Sequence, residues 1–291
     1  MLTRSLLRLT SVSSHIATLA LASSTSSSAS VHRAHTRPVR FGLIQRSTMS
    51  SATSSSASKH TSITNECLSD LYDYWFSHAP KSREAQEDPN NPGELAEIPK
   101  ESLQIWFQGS EEVDNYCRSN FKTAVEQAMS APTHELIELG AKDDTGKNAL
   151  SLILLLDQMP RNIYRGKEAK IAYTQCDPKA QQLAKVFTSD PYNFDERGKC
   201  PTWWHQSFMY MPFMHAESPD LHEYMLSKLS TAIAQSKSEG EIKAIEATKN
   251  FEEKHYDVIK RFARYPSRNE AMERESTDEE IVFLKDGPGW Q

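Results

Sequence analysis

His215-Ala216-Glu217 places an imidazole and a carboxylate two residues apart, between Pro212 and Pro219. In a corner between helices such a pair can move protons as base and acid, or hold a metal. The zinc-deaminase pattern opens with H-x-E but needs a later P-C-x-x-C, which is missing here. His222-Glu223 lacks the second histidine of H-E-x-x-H. No metal or other cofactor is therefore expected. His215 and Glu217 stand either as catalytic candidates or as packing and capping residues.

A second group lies in the stretch 148–166, where Asp157, Gln158, Arg161, Asn162 and Arg165 follow an apolar run. Pro160 restricts Met159 and should end or kink the helix there. Asp157 then sits in a last helical turn, where the dipole disfavours an anion, beside hydrocarbon that demands a partner. Arg161 and Arg165, four and eight residues on, can grip a carboxylate bidentately. The pairing could simply lock the turn. Alternatively, spare arginine donors could face a cleft and bind a small anion. A third group is basic: Lys260, Arg261, Arg264, Arg268, Asn269 and Arg274. Pro266 should force a turn that carries Arg268 and Asn269 back over the core. His255 falls on the apolar stripe of its helix and reads as a core histidine.

The element that must position Asp157 is a buried helix. Ala149, Leu150, Leu152, Ile153, Leu154, Leu155 and Leu156 are apolar all round, which is the pattern of a helix without a solvent face. The run is shorter than the ~20 residues a bilayer requires. Burying its six Leu and Ile side chains contributes ~9–18 kcal/mol gross, at ~1.5–3 each.

Other helices are expected on either side. One spans about 67–77, with Leu68, Leu71, Tyr72 and Trp75 at helical spacing. Ser110 should cap a helix running to about Met129, and Pro132 should open a short one stopped by Gly140. Pro178 starts another with Ala180, Leu183, Ala184 and Phe187 inward. The aromatic stretch 202–211 should close at Pro212. Ser218-Pro219-Asp220 is a helix start, Gly240 a breaker, and a long helix follows to Phe262. Thr277-Asp278-Glu279-Glu280 is a capping box. Strand alternation is nearly absent, so the chain is expected to be all-α, built of antiparallel helical hairpins with any repeat degenerate.

Composition divides the chain. All 39 acidic residues lie from Glu66 onward, whereas the first 65 residues carry seven of the 33 Lys and Arg and are dense in Ser. An acid-free, Arg-bearing, Ser-rich start resembles a mitochondrial transit peptide, so residues 1–60 are read as a targeting or disordered segment and 61–291 as one helical domain. Cytoplasmic residence is the alternative if translation begins at Met49. The acidic body argues against nucleic acid, and no apolar run supports membrane insertion. Cys67, Cys117, Cys176 and Cys200 form no C-x-x-C, which points to reduced thiols inside a cell. G-x-S-x-G, the P-loop and G-x-G-x-x-G are all missing.

Several long motifs, in order, carry a resemblance: W-F-Q-G-S-E-E-V-D (106–114), L-L-L-D-Q-M-P-R-N-I-Y-R-G (154–166), M-P-F-M-H-A-E-S (211–218), R-F-A-R-Y-P-S-R-N (261–269) and R-E-S-T-D-E-E-I-V-F-L (274–284). Together they resemble the domain-of-unknown-function family 924 over about residues 68–284. The resemblance implies a tetratricopeptide-like, all-helical fold. It also carries the family pattern onto Asp157, Arg161, Asn162, Arg165, His215, Glu217, Arg261, Arg268 and Asn269. Met159 stands where the family usually has Phe, Ala263 where it has Gly, and Gln175-Cys176 interrupts the run before Asp177. No charged group is lost. The family implies no activity, and two readings follow. In one, the domain is a binding module for a peptide, protein or small anionic molecule, with Arg161, Asn162, Arg165, Arg261, Arg268 and Asn269 as ligand contacts. In the other, it is a hydrolase- or transferase-type enzyme using His215, Glu217 and Asp157. The first is favoured at this point, because no motif names a reaction. A closed pocket with converging His, acid and arginine groups would reverse that preference.

Overall fold

The computed structural model describes residues 59–286. The expected targeting segment, residues 1–58 of it, lies outside the described residues. The helices are α1 (Asn65–Trp75), α2 (Lys100–Leu103), α3 (Glu111–Ser130), α4 (Thr133–Gly140), α5 (Lys147–Asp157) and α6 (Met159–Ile163). They continue with α7 (Ala169–Ile171), α8 (Asp177–Phe187), α9 (Trp203–Met214), α10 (Pro219–Gln235), α11 (Glu239–Phe262) and α12 (Asp278–Asp286). Extended pairing among the described residues is limited to one isolated bridge, Glu87 with Leu95. The fold is all-α. No described helix is long and apolar enough to cross a membrane.

Local chemistry sets the helix starts. Thr64, Ser110, Thr202 and Ser238 each accept the N–H three residues on, satisfying a donor that the helix itself leaves unbonded. The box at Thr277 is reciprocal: Thr277 N–H donates to Glu280 Oε2 at 2.8 Å and Glu280 N–H to Thr277 Oγ1 at 3.2 Å.

Two helices have no solvent face. Every residue of α5 from Ala149 to Asp157 is buried, and so is every residue of α9. α5 packs against α1, α3, α4, α6, α8 and α9. α9 packs against α5, α8, α10 and α11. Trp75, Trp106 and Phe208 meet edge-to-face at one side of this centre. α10 and α11, joined through Ser236–Ser238, form a helical hairpin against α9. All four cysteines are buried thiols, with Cys117 and Cys176 pushed up to about 12 by burial.

Two expected stops are not stops. Pro212 lies inside α9, which continues to Met214. So close to the helix end, its missing N–H removes a single ladder bond, and dense burial of the last turn outweighs that loss. Gly240 lies in the first turn of α11 rather than breaking it. A Cβ there would stand 2.5 Å from the Glu94 carbonyl carbon and 2.7 Å from the Leu95 nitrogen. This glycine admits another backbone rather than ending a helix.

Candidate functional site

The ladder of α5 breaks at Gln158, and α6 restarts at Met159 with Pro160 in its first turn. That break leaves Asp157 fully buried at the end of α5. His215 is the C-cap of α9, and its Nδ1–H donates to Asp157 Oδ1 at 2.7 Å. Gln158 Nε2 donates to the other carboxylate oxygen. Arg161 Nη1 lies 3.8 Å from Asp157 Oδ1, but its two-pronged contact is with Asp177, at 2.8 and 3.1 Å. The partner demanded by Asp157 is thus principally His215, with Arg161 second. Arg165 is not involved.

Asp177 opens α8, where the positive end of the helix favours its charge. Arg268 Nη1 lies 3.6 Å from Asp177 Oδ2, and Arg268 Nη2 donates to the His215 carbonyl at 2.9 Å. The Arg268 guanidinium lies 4.6 Å from the Tyr173 ring centre and 4.7 Å from that of Tyr265. Glu217 takes a fork from Arg274 at 2.7 and 2.9 Å and accepts the Tyr265 N–H at 2.9 Å. The turn at Pro266–Arg268 delivers Arg268 to this cluster, as its proline requires.

These groups surround a cleft of about 210 Å³ lined by Tyr173, Asp177, His215, Glu217, Ser218 and Arg268 among others. Asp157 does not line it; it is buried and bonded to His215, which does. Burial opposes the Asp157 charge, but His215, Arg161 and Gln158 more than offset it, so its carboxyl lies below the usual range. Burial and then the Arg161 charge lower His215, against the pull of Asp157. The imidazole is therefore neutral at pH 7, with Nδ1 protonated and Nε2 holding a lone pair that no described residue binds. Glu217 is also lowered, because Arg274 and the Tyr265 amide outweigh its burial. Among the described residues, no three His, Cys, Asp or Glu groups come together to hold a metal.

Of the residues singled out from sequence, His215, Glu217 and Arg268 line the cleft, and Asp157 and Arg161 join it through His215 and Asp177. Four lie elsewhere. Arg165 forks onto Asp114 at 3.0 and 2.6 Å, with Asn162 at 3.3 Å. Arg261 pairs with Glu279 at 2.7 Å on the surface. Asn269 is buried and joins Glu280 at 3.2 Å to Arg274 at 3.0 Å. His255 is a core residue whose Nδ1–H donates to the Phe251 carbonyl at 2.9 Å. Asp177 and Tyr173 were not singled out. The signal available for Asp177 was its place before Pro178, which reads as a helix start rather than as a receptor for two arginines.

A second histidine–carboxylate pair lies beneath the same corner. His222 and Glu252 are fully buried, with Nδ1 2.6 Å from Oε1. His222 Nε2–H donates to the Ala216 carbonyl at 2.9 Å. Burial raises Glu252 against the pull of His222, and its Oε2 has no hydrogen-bond partner among the described residues.

The profile of a family described as a bacterial protein of unknown function (DUF924) matches residues 71–288. A solved structure of a protein of unknown function from Agrobacterium tumefaciens is similar, with a TM-score of 0.51 and 24% identity over 76% of this chain and 98% of that one. That likeness concerns the fold. No curated protein matches. The matched segment contains every residue of the cleft, and the chain belongs to the DUF924 family.

Proposed function

We propose that the domain is a small-molecule enzyme of the hydrolase or transferase type, with His215 as its general base. The observation that carries this reading is the 2.7 Å contact between Nδ1 of His215, a residue that lines the cleft, and buried Asp157, with no hydrogen bond to Nε2 among the described residues. A buried carboxylate on one imidazole nitrogen fixes the tautomer and makes the other nitrogen a proton acceptor. The lowered His215 keeps that nitrogen unprotonated at neutral pH. The cleft, at about 210 Å³, is below the ~300–1,000 Å³ of sites for drug-sized ligands, so its occupant is small. Around it Asp157, Asp177 and Glu217 are matched by Arg161, Arg268 and Arg274. This balance favours a polar ligand without large net charge. A peptide-binding module has less support, since Asn162, Arg165 and Arg261 do not line the cleft and are committed to other partners, and Asn269 is buried against Glu280 and Arg274.

The test is incubation of the full chain with a pool of small metabolites, followed by mass spectrometry. The parent should deplete at least one compound. His215→Asn should slow that depletion ~10²–10⁴-fold, the usual contribution of a general base. A parent that consumes nothing, or a variant as fast as the parent, overturns the reading. Delivery to mitochondria through residues 1–60 is proposed separately. Fusion of that segment to a fluorescent reporter should give a mitochondrial signal, and a diffuse cytosolic one would oppose it.

A further inference from the structure

Ser218 occupies the N-cap of α10, yet its side chain makes no capping bond, and its hydroxyl has no hydrogen-bond partner among the described residues. Elsewhere Thr64, Ser110, Thr202 and Ser238 all spend their hydroxyls on the helix they precede. Ser218 instead lines the same cleft as His215, three residues earlier in the chain. Three residues span at most ~11 Å, so the two side chains are held within one small space by a short corner. That corner is fixed at both ends. Tyr265 N–H donates to Glu217 at 2.9 Å, and His222 holds the Ala216 carbonyl at 2.9 Å. Pro219 supplies no N–H, and Ser218 stands at the N-terminal, positive end of a helix of 17 residues.

Resting on the general-base reading above, we infer that Ser218 is the nucleophile of a Ser218–His215–Asp157 triad, and that the substrate class is a small neutral acyl compound such as an ester or thioester. The step balances without a cofactor. Ser218 Oγ bonds to the acyl carbon while its proton passes to His215 Nε2, and the carbonyl electron pair moves onto oxygen. Arg268, which lines the cleft, is the donor at hand for that oxyanion. Collapse expels the alkoxide or thiolate, which takes the proton from Nε2. Water then repeats the sequence on the acyl-serine and restores the free hydroxyl. Asp157 does not take the proton; it keeps the imidazole in the tautomer the step needs.

The test uses the full chain and a fluorophosphonate, a phosphorus electrophile that marks activated serines. The parent should gain one adduct, mapped by peptide mass spectrometry to Ser218. Labelling should vanish in Ser218→Ala and slow at least ~100-fold in His215→Asn, as loss of a general base predicts. Because the adduct is mapped on the parent chain, the answer does not depend on the folding of a variant. No adduct, or an adduct on another residue, overturns the inference. A Ser218→Ala chain that still consumes a metabolite in a His215-dependent way also overturns it, while leaving the general-base reading intact with water as the nucleophile.

Discussion

The molecule holds two histidine–carboxylate pairs within one corner, and they differ first in what the second imidazole nitrogen meets. His215 and His222 both place Nδ1 within 2.7 Å of a buried carboxylate oxygen. In the lower pair the second nitrogen is spent on the Ala216 carbonyl, and both side chains are sealed from water. In the upper pair the second nitrogen has no hydrogen-bond partner among the described residues, and His215 lines the cleft with 14% of its side chain exposed. Pairing alone therefore does not make a site. What separates a structural pin from a chemical group is whether one nitrogen is left over. The carboxylates differ too. Asp157 is surrounded by donors and is lowered, whereas Glu252 has an orphan oxygen and is raised. One pair can receive a proton from outside, while the other has its protons shut in.

The largest expected effect is at the sealed pair. Glu252→Ala strands a buried imidazole nitrogen and should cost ~3–5 kcal/mol in chemical denaturation, as removing one member of a buried pair does. Turnover per folded molecule should stay near the parent value. A loss under ~1 kcal/mol would mean that water reaches the pair, which would erase the contrast with His215.

Asp157→Asn comes next. Arg161 keeps Asp177, so no arginine is stranded, and the loss is that of charge-assisted bonds, ~1–3 kcal/mol at pH 7. The two carboxylates should also respond to pH with opposite slopes. Asp157 is lowered from 3.8, so the unfolded chain takes up that proton first. Its contribution is full above about pH 4 and fades as pH falls through the folded value. Glu252 is raised from 4.5, so the folded chain holds that proton longer. Its contribution is full below about pH 4.5 and fades as pH rises through the folded value. The deficit of Asp157→Asn should therefore shrink towards pH 3, and that of Glu252→Gln should shrink towards pH 8. Parallel slopes in denaturation from pH 3 to 8 would refute the assignment of charge to the first and proton to the second.

A smaller effect, of the opposite sign, is expected where the chain leaves α11 for the segment that carries Arg268. Ala263 has φ of 58°, in the left-handed region that a side chain disfavours. Ala263→Gly should raise stability by ~1 kcal/mol and leave turnover unchanged. Lower stability would show that the Cβ packs well enough to outweigh its backbone strain.

Why some of this was legible in the sequence, and some not, follows from distance along the chain. α5 was legible because an apolar run on all sides has only one stable environment. The capping box at Thr277 and the turn at Pro266 were legible because their causes are local. The partner of Asp157 was not, since His215 is 58 residues away and Arg161 at four residues was the nearer candidate. Asp177 was missed for the same reason: its arginines come from Arg161 and from Arg268, on either side of it in sequence. Pro212 and Gly240 misled because local breaker rules carry no information about what packs against a helix end. The charges at 161, 165, 261 and 268 look equivalent in sequence, and only tertiary packing sorts them.

That sorting yields the smallest expected effect. Arg165 and Arg261 are about half exposed, at 50% and 51%, whereas Arg268 is at 12%. Exposed ion pairs in high dielectric gain little and are screened by salt. Arg165→Ala and Arg261→Ala should each change stability by no more than ~0.5 kcal/mol and leave any His215-dependent turnover unaltered. Arg268→Ala should behave differently, since its guanidinium touches Asp177, the His215 carbonyl and two tyrosine rings around the cleft. The three variants, compared by denaturation and by turnover of one shared compound, locate the boundary of the site. If Arg165→Ala abolished turnover with its fold intact, the site would have to reach across α6 to Asp114, and the sealed-against-open contrast would no longer define it.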